Sequence, residues 1–310
     1  MDSDTVSGVI SPARITQLFD NSDASQKRHS LEISADTALK AAARLWFLVA
    51  VIGQWMFAVY IVSFYGGAVV EDDLARWSKG LSRGYIPGDN IGNFALAMHF
   101  LLGVIITVGG PLQLIPQLRT HVPSFHRWNG RLYILAAFTI SITALYLVWI
   151  RGGTVGGVVQ HVAISLNAVL IIFCAAMAVR YALARRFGVH RRWALRLFLV
   201  VSGVWFFRVG LMFLIIVNKG LAGLNAATFQ GPFHSFLSFA QYLAGAPTVT
   251  AAANVAAGVL PLAVLEIYLH TQDRTGSPGK FGMAAGLLVL TVAMSIGILG
   301  AAIGMWLPHI

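Results

Sequence analysis

"FHRWNGRLYILAAFTISITALYLVWI", residues 125 to 150, sets a histidine and two arginines, His126, Arg127 and Arg131, at the mouth of an apolar run. A helix that crosses a bilayer needs about 20 mostly apolar residues, and this run is longer than that. Charged groups are costly near hydrocarbon, so their place at the mouth of the run needs a reason. A second stretch, "GVHRRWALRLF" at 188 to 198, repeats the arrangement, with His190 beside Arg191 and Arg192 and with Arg196 further in.

Composition generalises the reading. Of the 310 residues, 57% are hydrophobic and 11% are charged, against about a quarter charged in soluble domains. Apolar runs fall at 44–68, 92–115, 125–150, 156–180, 193–217, 248–270 and 281–306. The expected fold is all-α, a polytopic transmembrane helix bundle of about seven spans. Residues 1–43 read as a polar cytoplasmic tail, with "LEISADTALKAAARLW" as a short amphipathic helix leading into the bundle at 44–310. The first span reads as an uncleaved anchor, because a long polar stretch precedes it.

Lysines and arginines set the expected orientation. Most of them fall on the side of the N-terminus, among them Lys27, Arg44, Arg119, Arg127, Arg185, Arg191 and Lys280. Arg76, Lys79, Arg83, Arg151 and Lys219 fall on the other side, and Arg208 lies within a span. This bias places the N-terminus in the cytoplasm and, with seven spans, the C-terminus outside. The net charge of +10 then reflects topology and anionic lipid headgroups, with no nucleic acid implied. The single cysteine, Cys174, lies in an apolar run as a packing residue, so no intrachain disulfide forms.

Four successive spans, over about 92–217, carry one histidine each. His99 and His161 lie near the outer face, and His126 and His190 at the inner face. The rise along a helix sets these two levels roughly 20 Å apart. Histidine pairs on facing helices at matched depth are what a b-type haem needs for its two axial ligands. A small residue stands four positions after each histidine, on the same helix face: Gly103, Gly130, Ser165 and Ala194. The candidate cofactor and metal ligands are therefore His99, His161, His126 and His190. Arg127, Arg131, Arg191 and Arg196 would hold anionic groups at the inner site, and Arg208 would do so at the outer. The bland reading of the same residues is packing, snorkelling and binding of lipid phosphate.

Other polar residues have lesser roles. Glu266 pairs with an inner-face arginine, and Gln160, Asn167 and Asn254 make hydrogen bonds between helices. Pro111 inside span 2 frees a carbonyl that Gln113 either satisfies or leaves while lining a site. Ser124 caps span 3, and Gly188 ends span 4. Glu71, Asp72 and Asp73 form a solvated acidic face, with a metal role as the sharper alternative. His234 is a spare ligand, and His29, His121, His270 and His309 show no partner.

The run "GYIPGDNIGNFALAMHFLLGVIITVGGPLQLIPQLRTHVPSFHRWNGRLY" with the later "HRRWALRLF" resembles a bacterial membrane family labelled domain of unknown function 2306. The GPLQ, HRxxGRxY and HRRW elements carry the resemblance, which covers about 40 to 220. It implies a multi-span inner-membrane protein and no particular activity. The histidine layout is also similar to the four-histidine, two-haem core of the cytochrome b561 class, though here His126 and His190 stand at helix starts.

No P-loop, GxGxxG after a strand, HExxH or CxxC occurs. Three readings follow. The first is a transmembrane electron carrier holding one or two haems b, with a quinone or other redox partner. The second is a transporter or channel for a small or anionic substrate, using Arg208; no broken helix is evident to support it. The third is a structural or assembly protein that binds lipid headgroups.

Overall fold

The structure, a computed structural model, describes residues 12–81, 83–152, 157–219, 247–274 and 276–309. Among them no strand occurs. Helix α1 (Pro12–Ile61) passes through a π-helical turn, Val62–Gly66, into Gly67–Val70. It is followed by α2 (Asn90–Leu114), α3 (Pro123–Trp149), α4 (Gly157–Leu183), α5 (Phe187–Val201), α6 (Gly203–Lys219), α7 (Pro247–Arg274) and α8 (Ser277–Ala301).

Among the described residues, five helices are long and apolar enough to cross a membrane: Ser25–Val70, Asn90–Leu114, Pro123–Trp149, His161–Leu183 and Ser277–Trp306. The bent pair α5 and α6 makes a sixth, and α7 covers the run expected at 248–270. Large apolar side chains on these helices face outward, such as Leu101, Leu135, Val169 and Val289. That surface suits lipid. The chain is a membrane protein with an all-helical fold.

Four local expectations need correction. The helix expected at "LEISADTALKAAARLW" is not short: residues 12–43 belong to one helix continuous with span 1. The sequence has no glycine and no further proline from Ala13 to Ile52, so nothing breaks it. Its 50 residues reach about 75 Å, more than the roughly 30 Å of hydrocarbon.

Span 3 is not capped by Ser124. Pro123 occupies the first helical position, and Ser124 Oγ accepts from Arg127. Span 4 does not end at Gly188, which lies inside α5. The left-handed position is Arg185, at φ 55°. Arg186 N–H donates to Tyr181 O at 3.0 Å and Arg185 N–H to Ala182 O at 3.0 Å, a Schellman closure.

Span 5 is broken after all. It bends by 55° where α5 meets α6, at the pair Ser202–Gly203, a combination that often kinks helices.

Helices α2, α3, α4 and α5 pack in a ring, each on the next and α5 back on α2. Helices α1, α6 and α8 form a second group, and α7 bridges the two through α4, α5 and α6. The ring core holds Leu102, Ile106, Ala136, Ala137, Ile171, Ala175 and Leu197, with Cys174 buried among them. The second core is aromatic, built from Phe57, Tyr60, Phe64, Tyr65, Trp205 and Trp306.

Three ion pairs join residues of the N-terminal side: Arg192–Asp273 at 2.6 Å, Arg196–Glu266 at 2.7 Å and Lys280–Asp36 at 2.8 Å. The residues assigned from sequence to the N-terminal side thus meet in space.

Candidate functional site

The ring order makes α2 and α4 one diagonal and α3 and α5 the other. His99 and His161 stand on the first, and His126 and His190 on the second. The inner pair is brought together. His126 and His190 lie in the first turns of α3 and α5, close enough for the charge of one to act on the other.

The His190 ring is held by a hydrogen bond from Nδ1 to Ala178 O at 2.9 Å. A carbonyl only accepts, so Nδ1 carries the proton and the Nε2 lone pair is left for a ligand. His126 Nδ1 is buried and has no hydrogen-bond partner among the described residues. Its backbone is fixed by Gln113, whose Nε2 donates to His126 O at 2.8 Å. Asn129 Nδ2 donates in turn to Gly109 O at 2.9 Å. Gln113 therefore does not satisfy the carbonyl that Pro111 frees, which belongs to Thr107. With Asn129 it ties the end of α2 to the start of α3.

Arg196 makes a two-point pair with Glu266, at 2.7 and 2.9 Å, and stacks over Trp193 at 4.7 Å. The expected partner of Glu266 is thus Arg196, one of the arginines expected to hold anionic groups at the inner site. Arg131 folds over Trp128 at 5.0 Å, Arg127 donates to Ser124, and both are exposed, as is Arg191. The arginine that acts on His126 is Arg119, which the sequence reading placed only as an inner-face charge.

At the outer level, His99 Nδ1 meets Thr143 Oγ1 at 3.2 Å. Thr143 already donates to Ile140 O at 3.0 Å. Its oxygen can then only accept, and His99, like His190, keeps Nε2 for a ligand. A methyl built at Gly103, on the same face, would meet nothing within 4 Å. Arg208, on α6, is brought within electrostatic reach of His99, Tyr60 and Tyr65, as its depth in the sequence implied. Its guanidinium lies 5.2 Å from the Phe57 ring centre, and it donates to Val204 O at 3.3 Å.

His161 meets Trp149 edge-on at 5.3 Å. Trp149 donates to Ser165 at 2.9 Å, and Ser165 donates to His161 O at 2.7 Å. The first partners of the outer pair are thus two residues of α3, which lies between their helices.

Sequence reasoning missed a polar centre at Arg151, whose side chain is only 4% exposed. It reaches Asp89 at 2.9 Å, Asn93 at 2.6 Å, Gly84 O at 2.7 Å and Arg83 O at 3.2 Å, and Arg83 donates back to Arg151 O at 2.6 Å. Asp89 also caps α2 through Gly92 N–H at 2.9 Å. The Gly92 amide, then Arg151, hold the Asp89 carboxyl below its usual range. The available signal was a lone arginine closing an apolar run opposite the cap sequence "GDNIGN".

Glu71 and Asp73 pair with Arg76. Among the described residues, no three of His, Cys, Asp and Glu gather as a metal cluster; axial ligation of a haem needs only two histidines. His121 has partners after all, with Nδ1 3.0 Å from Gln117 O. His270 lines an inner-face groove of about 300 Å³ with Arg192, Glu266 and Asp273. Asn167 Oδ1 is buried without a hydrogen bond among the described residues. His234 and the side chains of Gln160, Asn254 and His309 lie outside the described residues.

Residues 96–243 match the model of a family described as "Predicted membrane protein (DUF2306)". The match includes all four ring histidines and Arg208. No curated protein matches the chain, and no solved structure does. The likeness to the cytochrome b561 class therefore rests on the histidine layout alone.

Proposed function

We propose that the α2–α5 ring holds a b-type haem between His126 and His190 at its inner end, and that the protein carries electrons across the membrane. One observation carries the reading. Two histidines in the first turns of diagonal helices lie within electrostatic reach, and the hydrogen bond of His190 Nδ1 to Ala178 O leaves the Nε2 lone pair for a ligand. When bound, the haem supplies reversible one-electron exchange. The chain contributes the rest: Ala178 O orients His190, Gln113 fixes the first turn of α3, and Arg119 offers positive charge beside His126. At the outer end, His99, His161 and Arg208 form the second candidate level. A quinone or similar membrane-soluble redox partner suits such a carrier.

The test is absorbance of the purified protein from haem-replete cells. A Soret band is expected. His126→Ala and His190→Ala should each lose the inner component while the protein still inserts. His99→Ala and His161→Ala should lose any outer component together. No Soret band in the native protein, even after reconstitution with haemin, would reject the reading.

The broken fifth span favours a second reading, transport of a small or anionic substrate, because transporter sites form at interrupted helices. Uptake by proteoliposomes without any haem would favour it. The exposed Arg127, Arg131, Arg185, Arg186 and Arg191 form a cationic rim suited to anionic headgroups under any of these readings.

A further inference from the structure

We infer that the break in span 5 is a buried polar site that takes an internal water between α1 and the start of α6. The bend falls at Ser202–Gly203. Across it lies Gln54 of α1, only 1% exposed, whose Nε2 donates to Ser202 Oγ at 3.1 Å.

Two further polar atoms at this place are buried without a hydrogen bond among the described residues. Gln54 Oε1 needs a donor, and Trp205 Nε1–H needs an acceptor. They adjoin. A Cβ on Gly53, the residue before Gln54, would stand 2.7 Å from Trp205 Cζ2, on the indole edge next to Nε1. Trp205 lies in the first turn of α6, three residues past Ser202.

A water matches this set. It donates to Gln54 Oε1 and accepts from Trp205 Nε1, with Ser202 Oγ as a third partner, the two to four contacts that buried waters make. The α6 N-terminus starts here and leaves backbone N–H groups without partners inside the helix. Interrupted membrane helices re-satisfy such groups with side chains and ordered water.

Radiolytic hydroxyl-radical labelling of the purified full chain tests this, because radicals form from bound water and mark the side chain beside it. Trp77 is the internal control. Like Trp205 it is 3% exposed, but its Nε1 already donates to Tyr65 O. Trp205 is expected to be oxidised well above Trp77 in the native protein. Gln54→Leu, or Ser202→Ala if the first variant fails to fold, should bring Trp205 down to the Trp77 level, with exposed Trp128 unchanged. Trp205 labelled no more than Trp77 would overturn the site. So would strong labelling that both variants leave intact.

Discussion

Arg151 shows how one residue joins the outer segments. Its fork closes the end of α3 against the α2 cap and the 83–84 backbone, so a charge near the membrane surface is matched rather than exposed. Arg151→Met leaves two carbonyls and Asn93 without their charged donor, and should cost about 2–3 kcal/mol in detergent unfolding. Asp89 gives a pH test. Its folded carboxyl titrates below its unfolded value, so its contribution is complete above about pH 4 and is lost as pH falls through the lower, folded value. Proteolysis of the 71–89 segment should stay flat from neutral pH down to mild acid, then rise. Asp89→Asn, which keeps the cap oxygen, should flatten that acid limb. An unchanged limb would place its origin elsewhere.

Among the elements, α6 and α8 approach closely at the small residues of α8. A Cβ at Gly297 would collide with the Val209 carbonyl oxygen, which is backbone and cannot turn aside. At Gly300 the nearest atom is the flexible Cδ1 tip of Ile216, at 2.7 Å. At Gly286 nothing lies within 4 Å. Gly297→Ala should therefore cost about 1–3 kcal/mol, Gly300→Ala less, and Gly286→Ala nothing measurable. Thermal melts of the three variants check the order. Equal losses at Gly297 and Gly286 would mean that α6 and α8 do not pack in this way.

For the whole molecule, the inner end collects the loop at 183–187, the ion pairs of α5 with α7 and the N-terminal part of α1, which runs well past the hydrocarbon. If the lysine and arginine bias sets orientation, this end is cytoplasmic. A cysteine placed at Arg185 should react with an impermeant thiol reagent only in inverted vesicles, and one at Lys79 only in intact cells. Labelling of position 185 from outside would reverse the topology.

The sequence by itself determined the class, the number of apolar runs, the position of each ring histidine along its helix and the ends at which charges gather. These follow from length, hydropathy and helical rise, which are local properties of the chain. It also marked the pairing of Glu266 with an inner-face arginine and the shared depth of His99 and Arg208. Only the tertiary structure decided that the ring order sets His126 and His190 on one diagonal, that Glu266 takes up Arg196, and that Arg119 stands beside His126. It also decided the break at Ser202 and the polar centre at Arg151. The reason is physical. One sequence fixes how far along its own axis each side chain lies, but which helix faces which, and which cation meets which carboxylate, depends on close packing among segments far apart in the chain.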